Sequence, residues 1–343
     1  MILYRQLSPI IILSGMAFFL LSGCTKDVKE ENTNIPLRIR QPAHFPKPVY
    51  TFDNNPPRRT VYELGKRMFF DPILSLDQQV SCGTCHAASA AFADPRGSAV
   101  STGIFGRKGL RNTPALANLI WYPHFNQDGG INHIEVQPVA PINDSLEMGV
   151  GIANAVSILQ NHPEYPELFA RAFDSDSVTA ARILWAFAQF MGSLVSDNAP
   201  IDAYYRENKP LPDKAIRGKS IFDEYCAGCH TGVLQSDFSF KNNGLNMGSH
   251  DIGRAEITGE SQDEGRFRVP SLRNVAYTAP YMHHGQLNTL KDVIEAYSSS
   301  IADHPNLDPG LPVGGFGFSS QQKEDLYQFL LQLSDHSFVN QSF

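Results

Sequence analysis

The sequence predicts a mainly α-helical protein folded in two halves, and three observations predict it. Its 343 residues are about twice what a domain of ordinary size takes. A short cysteine–histidine motif occurs twice, far enough apart for each half to hold one copy. Apolar residues recur at helical spacing, whereas alternation of strand period is scarce. The composition, 42% hydrophobic and 18% charged, excludes a disordered chain, a collagen, a disulfide-stapled miniprotein and a polytopic membrane protein. A formal charge of −7 argues against a nucleic-acid binder held by phosphate contacts and suits a cationic protein partner.

At the N-terminus, residues 7–23 (LSPIIILSGMAFFLLSG) form an apolar run behind Arg5, and Cys24 follows directly. This is the form of a secretory signal, and it is short for a membrane span. Leu21-Ser22-Gly23-Cys24 resembles the bacterial lipobox, in which cleavage frees the cysteine for lipid attachment. The expectation is a signal peptide over residues 1–23, a polar tether over 24–45, and a periplasmic protein held at a membrane through lipidated Cys24.

Cys82-Gly-Thr-Cys85-His86 and Cys226-Ala-Gly-Cys229-His230 are two copies of C-x-x-C-H, and with Cys24 they account for all five cysteines. The spacing lets two thiols form thioethers to haem vinyl groups while the adjacent imidazole coordinates the iron. A zinc site would need further ligands from elsewhere, and a redox dithiol needs no histidine after the second cysteine. Disulfides are permitted outside the cytoplasm but do not explain two histidines at the same offset. Two covalent c-type haems are the expectation.

The motifs lie 144 residues apart. Thr179–Ser196 reads as a long helix with Ala180, Leu184, Phe187, Met191 and Leu194 on one face. Thr289–Tyr297 repeats the spacing with Leu290, Val293, Ile294 and Tyr297. Ser320–His336 does so with Leu326, Phe329, Leu330 and Leu333, opened by a capping box of Ser319 and Gln322. Asp94–Asn112 and Gln235–Pro270 read as ordered loops around the haems. The stretch Asn198–Pro212 reads as the boundary, giving halves of 46–205 and 206–343.

The stretches ELGKRMFFDPILS, GRKGLRNTPAL and VAPINDSLEMG in the first half, with CAGCHTG, GRFRVPSLRNVAYTAPYMHHG and TLKDVIEAY in the second, resemble the bacterial diheme cytochrome c peroxidases and their MauG relatives. The resemblance implies two cytochrome c-like domains, each with one covalent haem, joined by long ordered loops. It makes His86 the proximal ligand of the peroxidatic haem and His230 that of the electron-entry haem. Gln137, Pro141 and Glu147 map to the distal pocket of the first. The loop 98–112 has no histidine to close that haem, which implies an open site as in the MauG-like branch. For the second haem the sixth ligand is Tyr297, with Met282 as the alternative. One calcium ion is implied at Asn112, Thr278 and Pro280. The chain departs from the family at Gln127-Asp128-Gly129, where relatives carry tryptophan before Asp-Gly; Trp121 and Tyr122 are the candidates to replace it as an electron relay.

The function so implied is reduction of hydrogen peroxide with electrons from a small periplasmic cytochrome c or cupredoxin. The alternatives are a MauG-like oxidase acting on a protein or small molecule, and a non-catalytic diheme electron carrier. No nucleic-acid partner is expected, and a homodimer is left open.

Overall fold

The structure, a computed structural model, describes residues 35–245, 248 and 250–342. The signal sequence and Cys24 lie outside the described residues. In chain order the helices are α1 (Arg59–Phe70), α2 (Cys82–Cys85), α3 (Val139–Asn143), α4 (Ile152–Gln160), α5 (Tyr165–Phe173), α6 (Ala180–Gly192), α7 (Pro200–Glu207), α8 (Asp213–Tyr225), α9 (Ala255–Thr258), α10 (Leu290–Ser299), α11 (Ser320–Leu331) and α12 (His336–Val339). A two-stranded antiparallel ribbon, β1 (Phe240–Lys241) and β2 (Phe267–Arg268), pairs Phe240 with Arg268. No helix among the described residues is long and apolar enough to cross a membrane.

Two helix crossings organise the molecule, and both rest on the same device. Gly65 of α1 meets α6 so closely that a Cβ would stand 1.9 Å from the Ala186 carbonyl oxygen. Gly218 of α8 meets α11 with the same 1.9 Å to the Asp325 carbonyl oxygen. Only glycine allows such backbone contact. In each half the glycine-bearing helix precedes the C-x-x-C-H motif, so the crossing sets where the motif emerges. The repetition fits a duplicated unit.

The first core packs α1, α5 and α6, with Phe69, Tyr165, Phe169, Phe187 and Phe190 fully buried. The second gathers Phe222, Ile294, Leu326, Phe329 and Leu333. A smaller third cluster of Leu245, Leu287, Ala296 and Ile301 has Met282 and Tyr297 against it. The C-terminal α12 returns to the first core through Phe338 and Val339.

The helical elements form where apolar spacing places them, with their caps. Thr179 accepts from the Arg182 N–H at 3.3 Å. Ser319 Oγ accepts from Gln322 N, and Gln322 Oε1 accepts from Ser319 N at 2.9 Å, the reciprocal pair of a capping box. Three local expectations need correction, and the boundary stretch has structure of its own. α6 buries Ile183 and then every residue from Ala186 to Gly192, rather than one stripe through Ala180 and Leu184. α11 stops at Leu331, and Asp335 begins a separate helix by accepting from Phe338 N. The boundary stretch 198–212 contains α7, with Pro200 at its first position and Asp202 accepting from Ala199 N at 2.8 Å. The tether drawn to residue 45 runs too far: Leu37 N donates to Pro57 O at 2.9 Å, and Ile39 and Phe45 are buried in the first core.

One buried ion pair ties these pieces together. Arg273 Nη1 donates to Asp202 Oδ1 at 3.1 Å and its Nη2 to Oδ2, with both side chains almost wholly excluded from solvent. His44 Nε2 lies 3.2 Å from the same carboxylate, and Arg273 Nη1 also reaches Val233 O at 2.9 Å. An N-terminal segment, α7 and the loop after the second motif therefore meet on one carboxylate.

Candidate functional site

Both C-x-x-C-H motifs adopt one helical turn. His86 N donates to Cys82 O and His230 N to Cys226 O, each at 2.9 Å. The turn brings both thiols and the imidazole to one side, as attachment of a single planar group requires. In each motif the Nδ1 of the histidine faces a backbone carbonyl: Phe92 O at 2.7 Å for His86, and Gln235 O at 3.2 Å for His230. That contact fixes the ring and leaves Nε2 as the coordinating nitrogen. Burial keeps both imidazoles neutral, His86 falling to about 4 and His230 also lowered. A neutral imidazole is what a metal takes.

The cysteines answer the competing readings. All four are free thiols, so no disulfide forms between them. Desolvation raises every one, Cys82 and Cys226 to about 12. A dithiol poised for exchange needs the opposite shift. No group of three or more His, Cys, Asp or Glu suited to a metal ion occurs among the described residues. The motifs thus fit haem, with thiols destined for thioether bonds rather than for ionic chemistry.

The structure brings Glu147 to the first motif. Met148 N donates to Pro141 O at 3.1 Å, folding the segment after α3 back on itself. Leu76 N then holds Met148 O, and Ile104 N holds Glu147 O, each at 2.9 Å. The chain before the motif therefore grips Met148, and the loop after it grips Glu147. Its carboxylate is near enough to Cys82 to help raise that thiol. The side chain is open to solvent on one side, yet surrounding protein raises its carboxyl to about 7, desolvation first and the Asp144 charge second. Pro141 sits within the first turn of α3, where its missing N–H costs no helical bond, and Gln137 half-buried just before it.

At the second motif the two candidate ligands converge on one amide. Asn243 Nδ2 donates to Tyr297 Oη at 3.0 Å and lies 3.7 Å from Met282 Sδ, while its Oδ1 accepts from Leu245 N at 3.0 Å. The Leu245 contact fixes which end of the amide points at the pair. Burial raises the Tyr297 phenol to about 12, with the Cys226 and Cys229 thiols near enough to contribute. Tyr297 and Met282 are both beside the second motif.

The segments that the calcium reading names are also adjacent. Asn112 N donates to His283 O at 2.7 Å, which sets Asn112 against the stretch 278–283 holding Thr278 and Pro280. The Asn112 amide donates to Ala99 O at 3.0 Å, leaving its oxygen for other partners. Of the two relay candidates, Trp121 turns toward the N-terminal segment, its indole donating to Pro46 O at 2.8 Å. Tyr122 faces the second half, its ring 4.6 Å from that of Phe238. Gln127 stands between the halves: its side-chain amide donates to Asn112 O at 2.9 Å, and its backbone carbonyl accepts from Arg268 N at 2.7 Å.

Three residues of this region have no role that the sequence alone assigns, although Arg111 and Arg268 lie in the stretches that carry the family resemblance. Asn243 and Arg268 gain their meaning only from what they face. Arg111 reaches Asp251 at 2.6 and 2.8 Å, Glu256 at 3.2 Å, and Asp128, and so clamps the first loop to the second.

Residues 59–210 match the family described as di-haem cytochrome c peroxidase, and 215–334 match cytochrome c. The methylamine utilization protein MauG of Methylorubrum extorquens is 32% identical over 95% of both chains. The chain belongs to the di-haem cytochrome c peroxidase/MauG family. The cytochrome c551 peroxidase of Pseudomonas aeruginosa is 34% identical over 73% of this chain and 75% of that one. A solved MauG-like protein associated with microbial copper homeostasis superposes with a TM-score of 0.79 at 30% identity, covering 88% of this chain and 97% of its own. Membership brings two haem c groups, one for each motif. It does not divide peroxidase from MauG-type activity, since relatives of both kinds match alike.

With no histidine in the loop 98–112 and Pro141 in the distal segment, the as-isolated ferric protein is expected to show one high-spin and one low-spin haem in electron paramagnetic resonance, without prior reduction. Two low-spin signals of equal weight would contradict an open first haem.

Proposed function

We propose that this protein is a periplasmic diheme peroxidase that reduces hydrogen peroxide to water with electrons from a small cytochrome c or cupredoxin. The observation that carries the reading is Glu147, a carboxyl raised to about 7 and held beside the first motif. Haem at His86 would supply the iron that takes peroxide, and haem at His230 the entry point for electrons. Glu147 holds a proton near neutral pH and delivers it to the oxygen that departs when the O–O bond breaks. Gln137 orients the bound peroxide through its amide. Pro141 presents no donor or ligand and keeps the iron face clear of protein. The balance is one peroxide, two electrons and two protons to two waters.

Asn243 favours Tyr297 as the sixth ligand of the second haem, because an amide N–H directed at the phenol oxygen stabilises its anionic form; Met282 is the second reading, since its sulfur shares that amide. Calcium at Asn112, Thr278 and Pro280 would stiffen the contact between the two halves through oxygen ligands. Lipidated Cys24 would hold the enzyme at the membrane, where its net negative charge suits a cationic donor.

A MauG-like oxidase is favoured by Tyr297 and by the first haem left without a loop histidine, and disfavoured by Gln127 at the position of the family tryptophan. The test is stoichiometric. Protein carrying two electrons, mixed anaerobically with one equivalent of peroxide, is expected to end with both haems ferric and no peroxide left. Residual peroxide with both haems still ferrous would identify a non-catalytic carrier instead.

A further inference from the structure

Arg268 is buried, and the chemistry above does not use it. It lies in β2 at 8% exposure, its guanidinium carbon 4.8 Å over the Tyr122 ring. Its Nε donates to Asn126 O at 3.2 Å, but its Nη1 is buried without a partner. Among the described residues no carboxylate pairs with it. Arginine stays charged in proteins, so a buried guanidinium without an anion is costly and rare.

A second orphan stands beside it. His124 Nδ1 is also buried without a partner, and its ring packs 5.6 Å from Phe240. The charges of Arg254 and Arg268 are both near enough to depress it. Arg254 itself is met by the carbonyls of Asp128 and Gly129, each at 2.9 Å, and by the Phe240 ring. Cationic and donor groups converge here, and the negative charge they call for is not supplied by the chain.

The location says what supplies it. Ser236 Oγ donates to Val269 O at 2.7 Å, joining the residue after Arg268 to the loop that holds His230. Tyr122, beneath the guanidinium, touches Phe238 of that same loop. A haem held by thioethers at one edge carries two carboxylates at the other. We infer that Arg268, with His124 beside it, receives a carboxylate of the prosthetic group, a haem propionate lodged between the two halves of the chain. The inference rests on the two-haem reading. The guanidinium then neutralises the propionate and keeps the reduction potential of that haem higher than an unpaired carboxylate would allow.

The test uses the holoprotein, with attachment of both haems checked by mass; loss of a haem from the wild type would count against the two-haem reading and not against this site. Arg268→Gln is expected to lower the midpoint potential of one haem, reducing its reduced-to-oxidised ratio at fixed potential about tenfold, ~59 mV for one electron. Its propionate bending mode in resonance Raman should shift with it, and Arg268→Lys should restore most of both. Should Arg268→Gln fail to fold, His124→Ala is expected to move the same Raman mode. Unchanged potentials and propionate modes in all variants would overturn the inference. So would a wild-type potential that follows added formate while the propionate mode stays still, because the site would then take a soluble carboxylate.

Discussion

Glu147→Gln is expected to lower peroxide turnover by about 10²–10⁴-fold while both haems stay attached, the usual worth of a positioned acid or base. The amide keeps the shape and removes the proton. Rapid mixing with peroxide should show slowed bond cleavage rather than lost binding. The pH profile carries the same claim. Desolvation, with Asp144 adding to it, raises the Glu147 carboxyl to about 7, so the donor form dominates below that pH and is lost as pH rises through it. Wild-type turnover should therefore fall across neutrality, and the variant should lose that limb. A loss under about threefold would mean that the proton comes from elsewhere.

Arg273→Met is expected to cost about 3–5 kcal/mol of stability, because it strands the Asp202 carboxylate in a place water does not reach. The number is large for one side chain because both partners of the pair are about as buried as the core phenylalanines. Arg59, which meets Glu63 at 2.9 Å within α1 with both side chains largely exposed, is the control. Water replaces a lost partner there, and Arg59→Ala should leave the denaturation midpoint nearly unchanged. Urea unfolding followed by circular dichroism compares the two. Equal small losses would show that the Arg273–Asp202 pair does not hold the N-terminal segment, α7 and the second-motif loop together.

What the sequence made legible was chemistry with a fixed local spacing. Cys82, Cys85 and His86, and their counterparts in the second half, announce themselves because thioether attachment demands that interval. The amphipathic faces of α10 and α11 showed for the same reason: a helix repeats locally. Glu147 was visible only through family resemblance, since an acid after a loop has no spacing of its own. Arg268 lies in a stretch that carries the resemblance, but its role, like that of Asn243, was not visible. Arg268 bonds to Asn126 across 142 positions, and Asn243 meets Tyr297 across 54, and pairings at such distances leave no local pattern. α7 had a readable start, proline at the first position and aspartate at the third, but the prolines and asparagines around it read as a boundary. In the segment 35–45 the alternation of Ile35, Leu37 and Ile39 is too brief to stand out from a tether, yet Ile39 and Phe45 are enough to dock it.

The proposed function requires electrons to flow from a protein donor, through the second haem, to peroxide at the first. Steady-state oxidation of a reduced small cytochrome c by hydrogen peroxide measures this directly. The expected result is catalytic turnover that consumes two donor molecules per peroxide, abolished by omitting peroxide and sharply reduced in Glu147→Gln. Protein that reacts with peroxide once, stays oxidised, and draws no electrons from any small cytochrome c or cupredoxin would contradict it.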